Sequence, residues 1–507
     1  MAGPDTARLC VLGEIVPAEI YEIQDERGDD AYLIGGAVRN VLIGRPVDDM
    51  DFIVFGEALE WAESLALKSG GKFVLLDPVR SVGRVVLPGL TIDFAGACCS
   101  RLDDELRHHD FTINTLAILL EELRRRSYSL LDPLGGLDDL GGGRLVAAGP
   151  SSLEDDPIRI LRAFRFCAEL GFSIDNTTRQ LIRSAVHLLP MVASERIKYE
   201  LWRIAAMPGS SSIMVQLDDV GALLAIFPEC VAMDGTEQVG VAKIDVWRHA
   251  LATYREVECL IDDIGASPFA GLAEEVDAYL SMPGNREILK LAALLHDVAK
   301  PQTRAYDEEG YTHFYGHDRL GGECVRRIAR ERLRLSTRER DGLELLVRRH
   351  MHPHLLGREE SPTDRALRRF LRIAGTDWIG LVLLAYADAL ASGPDEEGGT
   401  GDAIVHLASR LAALRKGDAA RQEEPRLMSG HDLIKVFGLK PGPFVGVILR
   451  QIEELRLEGK VNTRQEALDA ARRLIGRGAS PPSSRAELES QQIPEQQADE
   501  EGNGDAR

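Results

Sequence analysis

Two aspartates, Asp49 and Asp51, stand two positions apart at the mouth of an apolar run, Phe52-Ile53-Val54-Phe55. On a strand, residues two apart point to the same face, so these carboxylates are presented together. Like charges held that close repel, and a divalent cation resolves the repulsion. Just upstream the chain reads Ile34-Gly35-Gly36-Ala37-Val38-Arg39, then Gly44-Arg45-Pro46. Gly35-Gly36 ends a strand and opens a helix, where backbone N–H groups can approach phosphate oxygens with no Cβ in the way. Arg39, one turn into that helix, can reach the same phosphates. A Gly-Gly pair alone reads as a tight turn, and a DxD alone as solvated strand-end residues. Their joint placement in one βαβ-like stretch points to metal-assisted phosphate chemistry.

A second constellation lies between residues 240 and 390: His249, His296-Asp297, His317, His350 and Asp388. His296-Asp297 closes the apolar helical stretch Leu291-Ala292-Ala293-Leu294-Leu295. Two polar side chains ending a buried helical face need a partner, and a metal ion is a natural one.

The elements that must position these groups follow from pattern. Tyr32–Ile34, Phe52–Phe55, Lys72–Leu76, Arg84–Leu87 and Thr91–Phe94 are short, rich in β-branched and aromatic residues, and bounded by Gly, Pro or Asp. The last two flank Pro88-Gly89 and read as a hairpin. Ala37–Ile43 and Ala58–Ser69 carry helical patterns, which gives a small α+β domain over 31–150. Asp93, on a neighbouring strand, is a candidate third carboxylate. From about Asp155 the pattern turns helical, with Ile158, Leu161, Ala163, Phe164, Phe166 and Cys167 on one broad face. Breaks near 209–212, 233–240 and 392–402 divide the rest. The boundaries expected are an N-terminal extension 1–30, a helical neck 151–232, a metal-binding helical domain 240–395, a C-terminal helical region 396–476 and an acidic tail 477–507.

The chain has 507 residues, 44% hydrophobic, with a formal net charge of −21. That is enough for about three domains, and the charge argues against coating nucleic acid by bulk electrostatics while leaving room for a local basic groove. The tail mixes Pro, Ser, Gln and Glu with few apolar residues and reads as disordered. Seven cysteines, single except for Cys98-Cys99, form no CxxC and read as reduced thiols of a cytoplasmic protein. No basic-then-apolar leader opens the chain, and no apolar run is read as a membrane span.

The first constellation resembles the class II tRNA nucleotidyltransferases and bacterial poly(A) polymerases, whose motif runs approximately GGxVRDxLLGRPxxDxD. Gly35, Gly36, Val38, Arg39, Leu42, Gly44, Arg45, Pro46, Asp49 and Asp51 match it, and Asn40 stands where the family carries Asp. His108-His109-Asp110-Phe111-Thr112-Ile113-Asn114 resembles the family's RRDFTxN, with His109 in place of Arg. Leu131–Leu140 is similar to its DPxGGxxDL connection. Asp155-Asp156-Pro157-Ile158-Arg159-Ile160-Leu161-Arg162 resembles EDPLRILR, and Glu195-Arg196-Ile197 with Glu200-Leu201 resembles ERIxxEL. The resemblance covers about residues 31–225, and more loosely 429–475. It implies a nucleotidyltransferase head of the DNA polymerase β-like superfamily followed by an all-α body. It also implies Mg²⁺ on Asp49 and Asp51, nucleotide contacts from Gly35, Gly36, Arg39, His109 and Asp110, base reading by Asp156 and Arg159, and Arg162 facing the triphosphate. The Glu195–Leu201 motif is expected to brace the neck.

The second constellation, with Ala292–Pro301 (AALLHDVAKP), resembles HD-domain phosphohydrolases. That implies a divalent transition metal or Mg²⁺ on His249, His296, Asp297 and Asp388, with His317 and His350 as the extra ligands of a binuclear centre. The expected activity is transfer from CTP and ATP to RNA 3′ ends, as CCA, CC or A addition to tRNA. Two alternatives stand beside it: poly(A) synthesis, and an HD phosphohydrolase whose head senses nucleotide. A non-catalytic RNA-binding protein is disfavoured by the intact aspartate pair.

Overall fold

The structure is a computed structural model; it describes residues 6–126, 128–237, 244–309, 311–359, 362–393, 400–423, 427–457 and 460–476. The tail expected over 477–507 lies outside the described residues, as do parts of the 233–240 and 392–402 breaks.

The head is built on a mixed sheet. Helix α1 (Ala18–Arg27) leads into β1 (Ala31–Ile34), α2 (Gly36–Leu42), β2 (Asp49–Val54), α3 (Ala58–Ser69), β3 (Lys72–Asp77), β4 (Val82–Leu87) and β5 (Leu90–Gly96), with β6 at Ala117–Leu119. The order across the sheet is β3-β4-β5-β2-β1-β6. Only β2 and β5 run parallel; Leu87 and Leu90 pair across the Pro88-Gly89 turn. The βαβ expectation is corrected here: β1 and β2 are antiparallel, with Ile34 opposite Asp51. The direction matters for the site, because antiparallel pairing sets the end of β1 beside the start of β2. Gly35 therefore lies next to the carboxylates.

Alternation along β2 divides its side chains. Met50 and Phe52 are buried beneath α3, with Phe52 stacked on Phe94 at 5.3 Å and Trp61 of α3 at 6.0 Å from Phe94. Asp49 and Asp51 turn to the other face. That face becomes apolar farther along, where Ile34, Ile53, Leu106 and Ala117 form a small core. The N-terminal stretch is part of this domain, since Leu9, Leu12, Ile20 and Ile23 are buried.

The body is helical. Pro157 precedes α4 (Arg159–Leu170), and α5 (Ser194–Ala206) and α6 (Ser210–Asp219) complete the neck. Then come α7 (Val246–Asp262), α8 (Asn285–Leu295), α9 (His317–Glu331), α10 (Thr337–Arg349), α11 (Met351–Arg358) and α12 (Trp378–Ala391). Trp247, Tyr254 and Trp378 are among their fully buried side chains. Head, neck and these helices make one compact unit, Met1–Leu355 with Thr376–Val405. A second unit comprises Leu356–Gly375 and the chain from His406. Its core includes Met428, Leu433, Ile448, Ile452 and Ala467, and Arg368 pairs with Asp418 at 3.0 Å. Leu356–Gly375, inside the 240–395 stretch, thus groups with the C-terminal helices. The stretch Asp364–Ala391 has the length and hydropathy of a membrane span, yet 67% of the qualifying window is buried in protein.

A buried ion pair ties neck to body. Lys290 of α8 has no solvent exposure, and its Nζ donates to Glu258 Oε1 (2.7 Å), Ser210 Oγ (3.0 Å) and the Ala205 carbonyl (2.9 Å). Removing one member of such a pair typically costs about 3–5 kcal/mol, because the other charge is left unpaired and dry. Lys290→Met should lower unfolding stability by that order, and adding Glu258→Leu should recover most of it. Urea unfolding of wild type and the two variants checks this; a single substitution within about 1 kcal/mol of wild type would show that the pair is not needed.

Candidate active site and metal centre

The carboxylates come first. Asp49 is exposed and Asp51 half-buried on the same face of β2. The parallel register sets Asp93 directly opposite Asp51, and the antiparallel register sets Arg84 opposite Asp93. Arg84 clasps Asp93 with two bonds, Nε to Oδ1 and Nη2 to Oδ2, both 2.8 Å. The three carboxylates therefore share a face, but both oxygens of the third are held by an arginine. Burial, then Asp93, then Asp49 push the Asp51 carboxyl up to about 7. That is the like-charge stress a divalent cation relieves. Gly35 has φ +78°, and a Cβ built there would stand 2.9 Å from Asp51 Oδ2. Glycine is required both for the backbone conformation and for this approach.

A hydrogen-bond relay joins the sheet to the neck. Asp110 is buried; its Oδ2 accepts from Arg162 Nη2 (2.7 Å) and Nε (3.1 Å), its Oδ1 from Asn114 Nδ2 (2.9 Å) and the Phe111 N–H (2.8 Å). Burial opposes its ionisation, but Arg162, Asn114 and Arg159 outweigh that and hold its carboxyl below the usual range. Asn114 Oδ1 accepts from Arg39 Nη1 at 2.6 Å. Arg39 Nη2 donates to Asn40 Oδ1 at 2.8 Å, and Asn40 Nδ2 donates to the Pro46 carbonyl at 3.2 Å. Asn40 thus accepts at one end and donates at the other; an ionised aspartate could only accept. The guanidiniums of Arg39, Arg162 and Arg165 gather on one ring, Phe166, at 5.0, 5.4 and 4.3 Å. Asp110 and Arg39 are both more than nine-tenths buried, and their polar atoms are engaged in the relay. Arg162 is more open, its side chain 35% exposed.

Asp156 and Arg159 do not share a helix, contrary to their spacing. Asp156 is extended at φ −150°, ψ 92°, and α4 begins at Arg159. The residue before a proline is driven out of the helical region, so Pro157 forces this break. Asp156 is clasped by Arg196 (3.0 and 2.7 Å), a residue expected from its motif only to brace the neck. Arg159 Nη1 donates to the carbonyls of Ser152 (2.8 Å) and His109 (3.1 Å). His109 is used through that carbonyl. Burial, with Arg159 adding to it, pushes its imidazole below its ordinary value, so it is neutral near pH 7.

The second constellation converges fully. Ligand atoms of His249, His296 and Asp388 fall within 4.8 Å of one another, and so do those of Asp297, His317 and His350. His296 Nε2 lies 3.0 Å from Asp297 Oδ2, and His317 Nε2 lies 3.2 Å from His350 Nε2. Each of His296, His317 and His350 has Nδ1 against a carbonyl three residues back, Ala293, Phe314 and Val347, at 2.9, 2.7 and 2.7 Å. Donation there leaves Nε2 bare and aimed inward, as a metal requires. His296 Nε2, His354 Nε2 and both Asp297 oxygens are buried without a hydrogen bond of good geometry. These orphaned donors fit divalent metal. His354, 2.9 Å from Asp388 Oδ2, was missed by the sequence reading, although it stands four residues past His350.

Comparisons with known proteins agree with this geometry. The HD domain family matches residues 246–374. The family described as "Probable RNA and SrmB- binding site of polymerase A" matches 171–233, and tRNA nucleotidyltransferase domain 2 matches 422–471. The chain is 34% identical to the A-adding tRNA nucleotidyltransferase of Deinococcus radiodurans over 446 residues, 86% of this chain and 94% of the relative. It is 31% identical to the CC-adding tRNA nucleotidyltransferase of Thermus thermophilus, over 86% and 92%. The fold is similar to that of the Thermotoga maritima CCA-adding enzyme complexed with tRNA, with TM-score 0.61, 22% identity and coverage of 93% and 98%.

The raised Asp51 carboxyl has a stability consequence. Its folded value, about 7, exceeds an unfolded one of about 3.9, so the folded state binds the proton more tightly. Without metal, Asp51 should therefore cost stability progressively as pH rises from about 4 to about 7, and no more above that. Melting wild type and Asp51→Asn in chelator across this range should show wild type losing ground to the variant. Added Mg²⁺ at pH 8 should stabilise wild type but much less the variant; parallel melting curves at every pH would refute the shift.

Proposed function

The chain belongs to the bacterial tRNA nucleotidyltransferase family, and from that we propose that it transfers nucleotides from CTP and ATP to tRNA 3′ ends, as CCA addition or its CC or A part. The observation that carries this reading is the Asp49–Asp51 pair seated against Gly35, where a divalent cation would relieve the stress on Asp51. The tRNA 3′-oxygen attacks the α-phosphorus, and pyrophosphate leaves. Asp49 and Asp51 would hold Mg²⁺, which when bound would supply activation of the hydroxyl and neutralisation of the leaving oxygen. Asp93, in the grip of Arg84, adds negative charge beside them. Gly35 and Gly36 leave the backbone bare for phosphate oxygens. Arg162, set by Asp110, meets the triphosphate; Arg39 positions the loop 44–46 through Asn40.

Base choice falls to Asp156 and Arg159. Asp156 offers acceptors and Arg159 donors. Cytosine and adenine present an amino donor beside a ring-nitrogen acceptor, whereas guanine and uracil present a carbonyl beside a ring N–H. A mispaired buried polar group costs about 1–3 kcal/mol, roughly ten- to hundredfold per contact. Arg196 orients Asp156 from the side.

The HD centre supports a second, separate reading as a metal-dependent phosphohydrolase. A cluster dominated by imidazoles suits divalent transition metal better than Mg²⁺, and such a metal would supply an activated water.

The test gives the protein tRNA lacking its 3′ end with each triphosphate singly and with CTP and ATP together. Incorporation of C, A or both, and discrimination against GTP and UTP, is expected. Asp49→Ala and Asp51→Ala should each lower transfer by several orders of magnitude. Arg196→Ala should raise the KM for the accepted nucleotide and narrow the discrimination. Equal use of all four triphosphates by wild type would overturn base selection by these side chains; full activity of either aspartate variant would overturn the site.

A further inference from the structure

A third cluster of metal-ligating groups lies outside both sites. The loop after β5 carries Cys98 and Cys99, and His108 comes back beside them; their ligand atoms lie within 4.8 Å of one another. The loop is organised by one carboxylate. Glu105 Oε2 accepts from the backbone N–H of Cys98 (2.8 Å) and of Cys99 (2.9 Å). Two consecutive N–H groups on one oxygen turn the two thiols to the same side, with Sγ to Sγ at 3.8 Å. Thiolates about 2.3 Å from a tetrahedral zinc sit about 3.8 Å apart. The spacing is thus that of two sulfurs sharing one metal, far longer than a disulfide bond of about 2.05 Å. All seven cysteines are free, and the cluster is open at the surface.

From this geometry we infer that Cys98, Cys99 and His108 form a site for one thiophilic divalent cation, zinc in class, held on the head independently of the Asp49–Asp51 pair and the HD centre. On binding, each thiol releases its proton to solvent and forms a metal–sulfur bond, and one imidazole nitrogen donates its lone pair. The Glu105 carboxylate also lies against the Cys98 thiol. The cation would tie the end of β5, which carries Asp93, to the segment that opens at Asp110. His108 also reaches Asp155 at 3.4 Å, next to Asp156.

Cobalt distinguishes this site from the HD centre. Co²⁺ bound by sulfur gives a thiolate-to-metal charge-transfer band in the near ultraviolet; Co²⁺ held by His and Asp gives only weak visible bands. The full chain, reduced and stripped of metal, is titrated with Co²⁺. The expected result is a charge-transfer band that saturates and is bleached by zinc. In Cys98→Ser/Cys99→Ser the band should disappear while the weak visible bands of the HD centre remain, which also shows that the variant is folded. His108→Ala should need at least tenfold more Co²⁺ for half-saturation. Absence of the band in wild type at excess Co²⁺, or its persistence in the double-serine variant, would overturn the inference.

Discussion

A carboxylate with almost no access to water holds the head and neck together. Burying an ion such as Asp110 costs several kcal/mol, and the protein offsets that with four hydrogen bonds, two of them from Arg162. Because each partner is itself engaged, the arrangement propagates. Asn114 carries it to Arg39, Arg39 to Asn40, and Asn40 to the Pro46 carbonyl on the loop before β2. The neck arginine and the carboxylate strand are thereby fixed relative to each other, although Asp110 need touch no substrate.

The relay also gathers arginines together within a chain of net charge −21. Arg39, Arg162 and Arg165 converge on the face of Phe166, where their mutual repulsion is offset by Asp110, Glu200 and Glu169. Of the three, Arg39 and Arg165 are buried, and Arg162 keeps 35% of its side chain exposed. Beside it, Asp49, Asp51 and Asp93 concentrate negative charge in need of cations. Under the proposed function, triphosphate with bound metal would meet the carboxylates and Arg162 at once.

What could be read in advance was what depends on short spacing. The strand period put Asp49 and Asp51 on one face, and helix patterning located α2, α3 and the neck. Partners far apart in sequence were not readable: Arg39 and Asn114 are 75 positions apart. The direction of β2 against β1 was missed because the intervening stretch is long enough for either arrangement. Asp156 and Arg159 were put on one helix by counting three, but Pro157 between them decides otherwise. His354 is legible only as a histidine four residues past His350, across the junction of α10 and α11. Arg196 looked like a bracing residue because nothing local shows that Asp156 is its partner.

Asp110 is expected to act through Arg162 and not by touching substrate. A double-mutant cycle measures this directly: single-turnover nucleotide incorporation by wild type, Asp110→Asn, Arg162→Met and the double variant on one tRNA primer. Each single variant should lose most of the rate, and the double variant should be no slower than the worse single, because both remove the same interaction. Losses that multiply in the double variant would mean that the two side chains act separately, and would contradict it.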